Sequence, residues 1–510
     1  MLAGEEPKLG PAGLVVLLSG VFLAVMSTFI VNLAIPSIQR DLSASPSEMS
    51  AVVAYYGLAY GAMLITGGRL GDIYGRRRLF VLGLAGFTVS ALICGLAGSV
   101  SILIGARIAE GIAAAAMFPQ ILSVIRVTSA DEHARARAFA AFGVALGLSG
   151  IAGPLIGGAL IAADLWGTGW RAVFLFNVPI GLIACFGAMR LIPETRAGGT
   201  TRLDAGGALL CAVGLGLLLY PLIVGQGAGW PSWALISMAA AALTLVLFLL
   251  DQRRKSGTGK SPVIEPRLFK IPSFSSGVAI AFLFHSTVVA FLYALALFLQ
   301  TGLDYSPWHA ALITAPIPAA FLLTSLIAGR LLPSYGSFPM MCLGGAVVAL
   351  GYGGCAWIAV NQDVAGGRGL VPALVATGIG QGLFLPPLLN AVLASTSKEY
   401  AGQAAGLVAT AQQVGGAFGV AITSMLYVSV AAPAASTHLR DAGDAFGLAL
   451  TYEIGAAVLA LCLLVSPDAR RANPRRIVSS RSNGAPKWPP ATPCINAFWT
   501  SGGGCMTTMI

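Results

Sequence analysis

Arg107 and Glu110 are the residues whose type and spacing most suggest chemistry. They stand three apart, hence on one helix face, inside a stretch (101–125) with no other charge. Each charge at membrane depth costs about 2.5–3.5 kcal/mol on insertion scales. The two must therefore pair with each other or face a water-filled cavity. Burial favours the neutral form of Glu110, whereas Arg107 beside it favours the charged form. A carboxylate so poised can take up a proton when a cationic substrate leaves. A purely structural ion pair explains the same residues, and the sequence leaves both readings open.

A second charged group is Gly68-Arg69-Leu70-Gly71-Asp72-Ile73-Tyr74-Gly75-Arg76-Arg77-Arg78, in a chain where only 10% of residues are charged. Such charges cannot stay in hydrocarbon, so the stretch reads as a short, tightly turned loop at a membrane face. Arginine-rich loops remain on the cytoplasmic side of a bacterial-type membrane. Asp72, before the arginines, is expected to accept N–H bonds at a helix start and to pair with arginine. Gly68, Asp72, Gly75, Arg76 and Arg77 then form a latch holding the two halves of the molecule together on the cytoplasmic side. A loop that only fixes topology would need the arginines but not the Asp.

Polar and aromatic residues in other apolar spans are candidates for a substrate cavity: Asn32, His285, Gln300, Gln381, Asn390, Gln412 and Gln413, with Phe118 and Phe142 in an aromatic wall. Phe29, Phe284, Tyr293, Phe298 and Phe384 extend that wall. His285 and His309 read as packing residues before proton relays. Asp164, Asp304, Asp363 and Asp444 read as loop residues, and Glu453 falls near the outer end of the last span. Gly143, Gly147, Gly150, Gly153, Gly157 and Gly158 recur mostly three or four apart on one face. Small residues in that pattern let another helix backbone approach closely, and Pro154 among them adds a kink or a freed carbonyl.

The elements that must position these residues are membrane helices. The 510-residue chain is 56% hydrophobic, with a mean hydropathy of +0.82, and alternating strand patterns are missing. Apolar runs near the length that crosses about 30 Å of hydrocarbon recur throughout, and helices satisfy their own backbone there. Fourteen spans are predicted, near 11–35, 48–67, 79–98, 101–125, 137–162, 171–192, 205–224, 231–250, 274–299, 307–331, 338–360, 369–393, 402–430 and 444–466. Of the 30 Lys and Arg residues, 25 fall in the tails and even-numbered loops; Arg40, Arg107, Arg171, Arg368 and Arg440 are the exceptions. That asymmetry places both termini in the cytoplasm. It also explains the net charge of +10 without a nucleic-acid partner.

Six of the eight cysteines lie in apolar spans with no metal-ligand spacing, so neither a disulfide framework nor a metal site is indicated. The start shows no cleavable signal pattern, and the first span is expected to stay as an anchor. Gly68-Arg69-Leu70 with Tyr74-Gly75 reappears 261 residues on, as Gly329-Arg330-Leu331 with Tyr335-Gly336. Gly111-Ile112 with Pro119 reappears 267 residues on, as Gly378-Ile379 with Pro386. Two six-helix units with two extra helices between them give these offsets. The expected fold is therefore an all-α polytopic membrane protein of two pseudo-symmetric six-helix bundles plus two central helices. Its parts are a cytoplasmic N-tail (1–10), an N-terminal bundle (11–192), a linker with two helices and a cytoplasmic loop (193–273), a C-terminal bundle (274–466) and a disordered cytoplasmic tail (467–510).

The chain resembles the major facilitator superfamily, in particular its fourteen-span drug:proton antiporter branch, over about residues 10–466. Residues 68–80 resemble the signature between helices two and three, with Ile73 where Arg is usual. Leu103-Ile104-Gly105-Ala106-Arg107-Ile108-Ala109-Glu110-Gly111 resembles the helix-four motif, with Glu110 where Gln is usual. Gly143 to Gly158 resembles the helix-five antiporter motif. Trp170-Arg171-Ala172-Val173-Phe174-Leu175-Phe176-Asn177-Val178-Pro179-Ile180-Gly181 and Ile30-Val31-Asn32-Leu33-Ala34-Ile35-Pro36 are similar to patterns of that branch. Ser27 stands where members often carry Asp, so a coupling acid in helix one is not carried over.

The resemblance implies helix five at the interface between halves, and a latch favouring the outward-open state. It also implies proton-coupled export of amphipathic or cationic drug-like molecules by alternating access, in a bacterial cytoplasmic membrane. A dedicated exporter of one metabolite, antibiotic or siderophore is the alternative; a membrane enzyme or non-transporting sensor is remote. Nothing like GxxxxGK[ST] occurs, and no cofactor is expected. The partners are protons, a small-molecule substrate and the bilayer, with the chain acting alone or beside other envelope components.

Overall fold

A computed structural model describes residues 9–128, 132–196, 204–225, 229–258, 262–361, 367–396, 401–431 and 439–465. The expected tail 467–510 and N-tail residues 1–8 lie outside the described residues, as do His438 and Asp363.

The helices are α1 Pro11–Asp41, α2 Pro46–Tyr74, α3 Arg76–Gly95, α4 Val100–Thr128, α5 Glu132–Ala163, α6 Ala172–Leu175, α7 Asn177–Leu191 and α8 Ala205–Val224. They continue as α9 Ser232–Gly257, α10 Pro272–Leu297, α11 Pro307–Thr314, α12 Pro316–Tyr335, α13 Ser337–Asn361, α14 Val371–Ala394, α15 Ala401–Ala431 and α16 Leu439–Val465. Fourteen segments among the described residues are long and apolar enough to cross a membrane, and no strand occurs among those residues.

Local chemistry sets the ends. Pro11, Pro46, Pro272 and Pro307 open helices where a missing N–H costs nothing. Ser45 and Glu48 form a reciprocal capping box at α2. Spans six and ten each have their helical hydrogen bonding interrupted at one residue, Phe176 and Ala315, while the backbone there keeps helical angles (φ −57° and −53°), which the sequence reading did not anticipate. α6 ends at Leu175, four residues before Pro179, and α11 ends at Thr314, four before Pro318. A proline ring displaces the carbonyl four residues back, so both interruptions have one cause.

The two halves pack in the same order. In the N-terminal half α2 and α3 lie on α4, α1 on α5, and α7 on α1 and α3. In the C-terminal half α12 and α13 lie on α14, α10 on α15, and α16 on α10 and α13. The sequence repeat is visible as contact: a Cβ at Gly111 would meet the Tyr56 carbonyl, and one at Gly378 would meet the Ile317 carbonyl. Gly378 follows Gly111 by 267 residues and Ile317 follows Tyr56 by 261, the two offsets of the repeat. The halves meet reciprocally, α2 against α15 and α5 against α11 and α12.

The extra pair α8 and α9 packs together, and α8 rests on α2 and α15. Leu235, Ile236 and Leu243 of α9 are exposed, as a lipid-facing helix requires. Asp204 fastens this pair, accepting from Lys255 Nζ at 2.7 Å, Gln252 Nε2 at 3.0 Å and the Gly207 N–H at 2.8 Å. Burial alone would raise the Asp204 carboxyl, but the Lys255, Gln252 and Gly207 donors outweigh it and hold it below the usual carboxylate range.

Candidate functional site

α4 places Arg107 and Glu110 side by side, both wholly buried. Arg107 Nη1 donates to Glu110 Oε2 at 2.7 Å and to Ser27 Oγ at 2.8 Å. Ser27 Oγ donates in turn to Glu110 Oε1 at 2.8 Å. The guanidinium Nε donates to the Val52 carbonyl at 3.1 Å, and its Cζ sits 4.1 Å from the Tyr56 ring centroid. The Tyr56 hydroxyl donates to the Ala24 carbonyl at 2.8 Å. Helices α1, α2 and α4 thus converge on one buried charge pair. Charge-assisted bonds and a cation–π contact offset the desolvation of both ions.

The two departures from the family pattern touch each other. By the resemblance noted above, Ser27 stands where Asp is often expected on α1, and Glu110 where Gln is expected on α4. Their side chains are 2.8 Å apart. Spacing along the sequence could not show this, because the residues are 83 positions apart.

The basic stretch is differently built from the expectation. It is not an extended loop: α2 runs to Tyr74, α3 starts at Arg76, and the turn is Gly75 alone. Gly75 has φ +109°, a conformation that needs no Cβ. Asp72 consequently lies in the last turn of α2 rather than at a helix start, and accepts from Arg76 Nη2 at 2.8 Å and Nε at 3.2 Å. Glu194, after α7, accepts the Arg77 backbone N–H at 3.1 Å and lies 3.8 Å from the Arg77 and Arg78 guanidinium nitrogens. These described bonds stay within the N-terminal half. Arg69 extends them to the linker by donating to the Pro262 carbonyl.

The glycines of α5 face two neighbours. A Cβ at Gly157 would press on Ile30 of α1 at 2.7 Å, and one at Gly153 would lie in ordinary contact with Met26 and Phe29 of the same helix. One at Gly147 would lie 2.5 Å from Leu322 Cδ1, and one at Gly158 would lie 2.6 Å from the Ala311 Cβ, both across the interface. Gly150 abuts Pro318, while Pro154 is buried within the helix.

The cavity candidates separate. Phe118 packs edge-on against Tyr60 and Phe142, with centroids 5.9 and 5.8 Å apart. Asn32 donates to the Phe29 carbonyl, while its Oδ1, His285 Nδ1 and Gln300 Nε2 are buried without a protein partner. Gln381 is buried, and Gln412 is half-buried. Gln413 packs against Gly57 and Gly61 of α2. Asn390 is exposed and does not join this group. Phe284 stacks on Phe384 at 4.2 Å inside the C-terminal core, so neither forms a wall. Trp170 and Arg171 anchor the entrance of span six, donating to Asp41 at 3.0 and 2.7 Å.

Sequence reasoning missed Glu453. It is wholly buried within α16 and accepts from Thr423 Oγ1 at 2.8 Å. The signal was present, because an acid well inside an apolar span is what identified Glu110.

Duplicated bundles of membrane helices, packed in matching order and meeting through small residues, define a multi-pass membrane transporter. Comparison with known proteins gives the family. The model of the Major Facilitator Superfamily matches residues 17–209 and 197–420, once for each half. The chain is 36% identical over 433 residues to the "Probable actinorhodin transporter" of Streptomyces coelicolor, covering 84% of this chain and 74% of that one. It is 33% identical to the "Cephamycin export protein CmcT" of Amycolatopsis lactamdurans, over 90% of this chain and 92% of that one. It is 31% identical to the "Drug efflux pump JefA" of Mycobacterium tuberculosis, over 83% and 81%. Among solved structures, a D-xylose-proton symporter superposes with TM-score 0.62 at 17% identity, covering 88% of this chain and 96% of that one. A peptide transporter superposes with TM-score 0.65 at 18% identity, covering 93% and 98%. The chain belongs to the Major Facilitator Superfamily, and within it to the drug-efflux type.

Proposed function

We propose that this transporter exports amphipathic, often cationic, drug-like molecules in exchange for protons, by rocking its two halves about a central site. The observation that carries the coupling is the buried triad of Ser27, Arg107 and Glu110. A proton on Glu110 removes the charge that holds Arg107 Nη1 at 2.7 Å. The guanidinium then rests on Ser27, the Val52 carbonyl and the Tyr56 ring. Loss of the proton restores the pair. The site therefore has two electrostatic states, and a cationic substrate favours the ionised one. Each charge moving down the membrane potential supplies about 2.3 kcal/mol per 100 mV.

In this reading Gly147 and Gly158 let α5 slide against α11 and α12, and Asn32, Gln300, Gln381 and Gln412 offer polar contacts to substrate. Asp72 and the arginines brace one end of the N-terminal half. The basic residue asymmetry supports cytoplasmic termini in a bacterial inner membrane. Restriction to one antibiotic is a second reading, favoured by relatives whose names each specify a single compound.

The test is efflux of a cationic fluorescent dye from proteoliposomes under an imposed pH gradient. Wild type is expected to extrude dye until a protonophore collapses the gradient, and Glu110→Gln to lose at least about tenfold of that rate. Unchanged gradient-driven efflux in the variant removes Glu110 as the coupling acid. Absence of gradient-driven efflux in wild type overturns the export reading.

A further inference from the structure

The C-terminal half buries an acid of its own under quite different conditions from Glu110. Glu453 has no exposed surface. Its Oε1 accepts from Thr423 Oγ1 at 2.8 Å, and its Oε2 has no protein partner. Among the described residues no ion pair reaches it, whereas Glu110 is held by a guanidinium at 2.7 Å. The helices packed on α16 are linked to one another and to it by hydroxyl pairs. Tyr452 donates to Ser286 Oγ at 2.8 Å, Tyr352 donates to Thr287 Oγ1 at 3.2 Å, and Tyr293 lies 3.4 Å from Ser424 Oγ.

The titratable side chains on the elements packed against α16 can be named. They are Tyr352, Cys342 and Cys355 on α13, His285 and Tyr293 on α10, and Tyr427 on α15; the turn 298–302 has none. α16 itself adds Tyr452, Cys462, the exposed Asp444, and Arg440 and Asp441 in its first turn, twelve or more positions before Glu453. Tyr352 and Tyr452 are close enough to feel the charge of Glu453, and neither is a cation.

An ionised carboxylate without a counter-ion in such a place is far too costly, whereas a neutral carboxylic acid with one hydroxyl donor is tolerable. We propose that Glu453 is a second proton-binding site, protonated in this conformation and ionised when the halves rock apart. The O–H bond breaks to water on one side of the membrane, and the carboxylate is reprotonated from the other side. The mechanical link is α15, which carries both Thr423, the donor to Glu453, and Gln413, which packs on α2 across the interface. The inference rests on the reading of the chain as a proton-coupled exporter, and it assigns the proton exchange to two acids instead of one.

The test is the proton-to-substrate ratio in proteoliposomes, obtained from the reversal of dye flux against imposed pH and electrical gradients. Glu453→Gln imitates the neutral acid and keeps an oxygen for Thr423. It should melt with wild type and bind dye within about threefold of wild-type affinity, while the ratio falls by about one proton. A ratio unchanged from wild type overturns the proposal and leaves Glu453 a structural acid. If the Gln variant does not fold, Thr423→Val retains the acid but removes its donor. That change should move the pH midpoint of exchange, and an unmoved midpoint overturns the proposal equally. A wild type that moves dye without any proton defeats the export reading itself. An intact wild-type ratio that neither variant alters defeats only the role of Glu453.

Discussion

Ser27 and Glu110 bring two helices to one guanidinium. Their side chains meet at 2.8 Å with Arg107 Nη1 bonded to both, so a carboxylate carried by α1 in place of Ser27 is expected to reach the same guanidinium. The double variant Ser27→Asp with Glu110→Gln should therefore recover a large part of the gradient-driven efflux that Glu110→Gln loses. Ser27→Asp alone puts two carboxylates beside one guanidinium and should shift the pH profile of efflux by a unit or so. Failure of the double variant to exceed Glu110→Gln, at equal membrane content, would show that the acid works only from α4. Glu110 was legible in the sequence as a lone acid in an apolar span. Its partnership with Ser27 was not, because contacts between helices leave no trace in spacing along the chain.

Helix α5 shows how a glycine stripe divides between two tasks. Gly153 and Gly157 seat the helix on α1, inside its own half, whereas Gly147 and Gly158 touch α11 and α12 of the other half. A Cβ at Gly158 would lie 2.6 Å from the Ala311 Cβ and 2.8 Å from the Pro307 carbonyl, while one at Gly143 would meet nothing within 4 Å. Gly158→Leu is thus expected to abolish most transport while the protein still inserts, and Gly143→Leu to be nearly silent. Dye efflux normalised to membrane content checks both, and equal activity of the two would show that α5 does not move against α11. The stripe itself was readable from the sequence, as was the match to the helix-five motif. Which glycine faces which half was not.

At the scale of the whole molecule, the halves touch most extensively in two reciprocal places, α2 with α15 and α5 with α11 and α12. Alternating access requires each contact to open in some part of the cycle. Cysteines at Gly57 and Ala417, where a Cβ on Gly57 would stand 4.0 Å from the Ala417 Cβ, should form a disulfide in a background lacking the eight native cysteines. Oxidation is expected to stop dye efflux and reduction to restore it. Efflux that continues at full rate through a complete cross-link would show that this contact stays closed during transport.

The sequence alone determined the number of membrane crossings, the duplication and the asymmetry of basic residues. Each of these follows from local rules: the length needed to cross hydrocarbon, the helical period and the retention of arginine at one face. It also marked Arg107 and Glu110, since a charge in an apolar span is anomalous wherever the span packs. Only the tertiary structure decided that Asp72 belongs to the end of α2 with Gly75 as the whole turn, because a single positive φ was enough to reverse the chain. Only packing showed that Phe284 and Phe384 are core, that Asn390 is exposed, and that Glu453 is fully buried with Thr423 as its donor. A side chain's surroundings come mostly from helices far away in the chain, and those contacts exist only once the bundle has assembled.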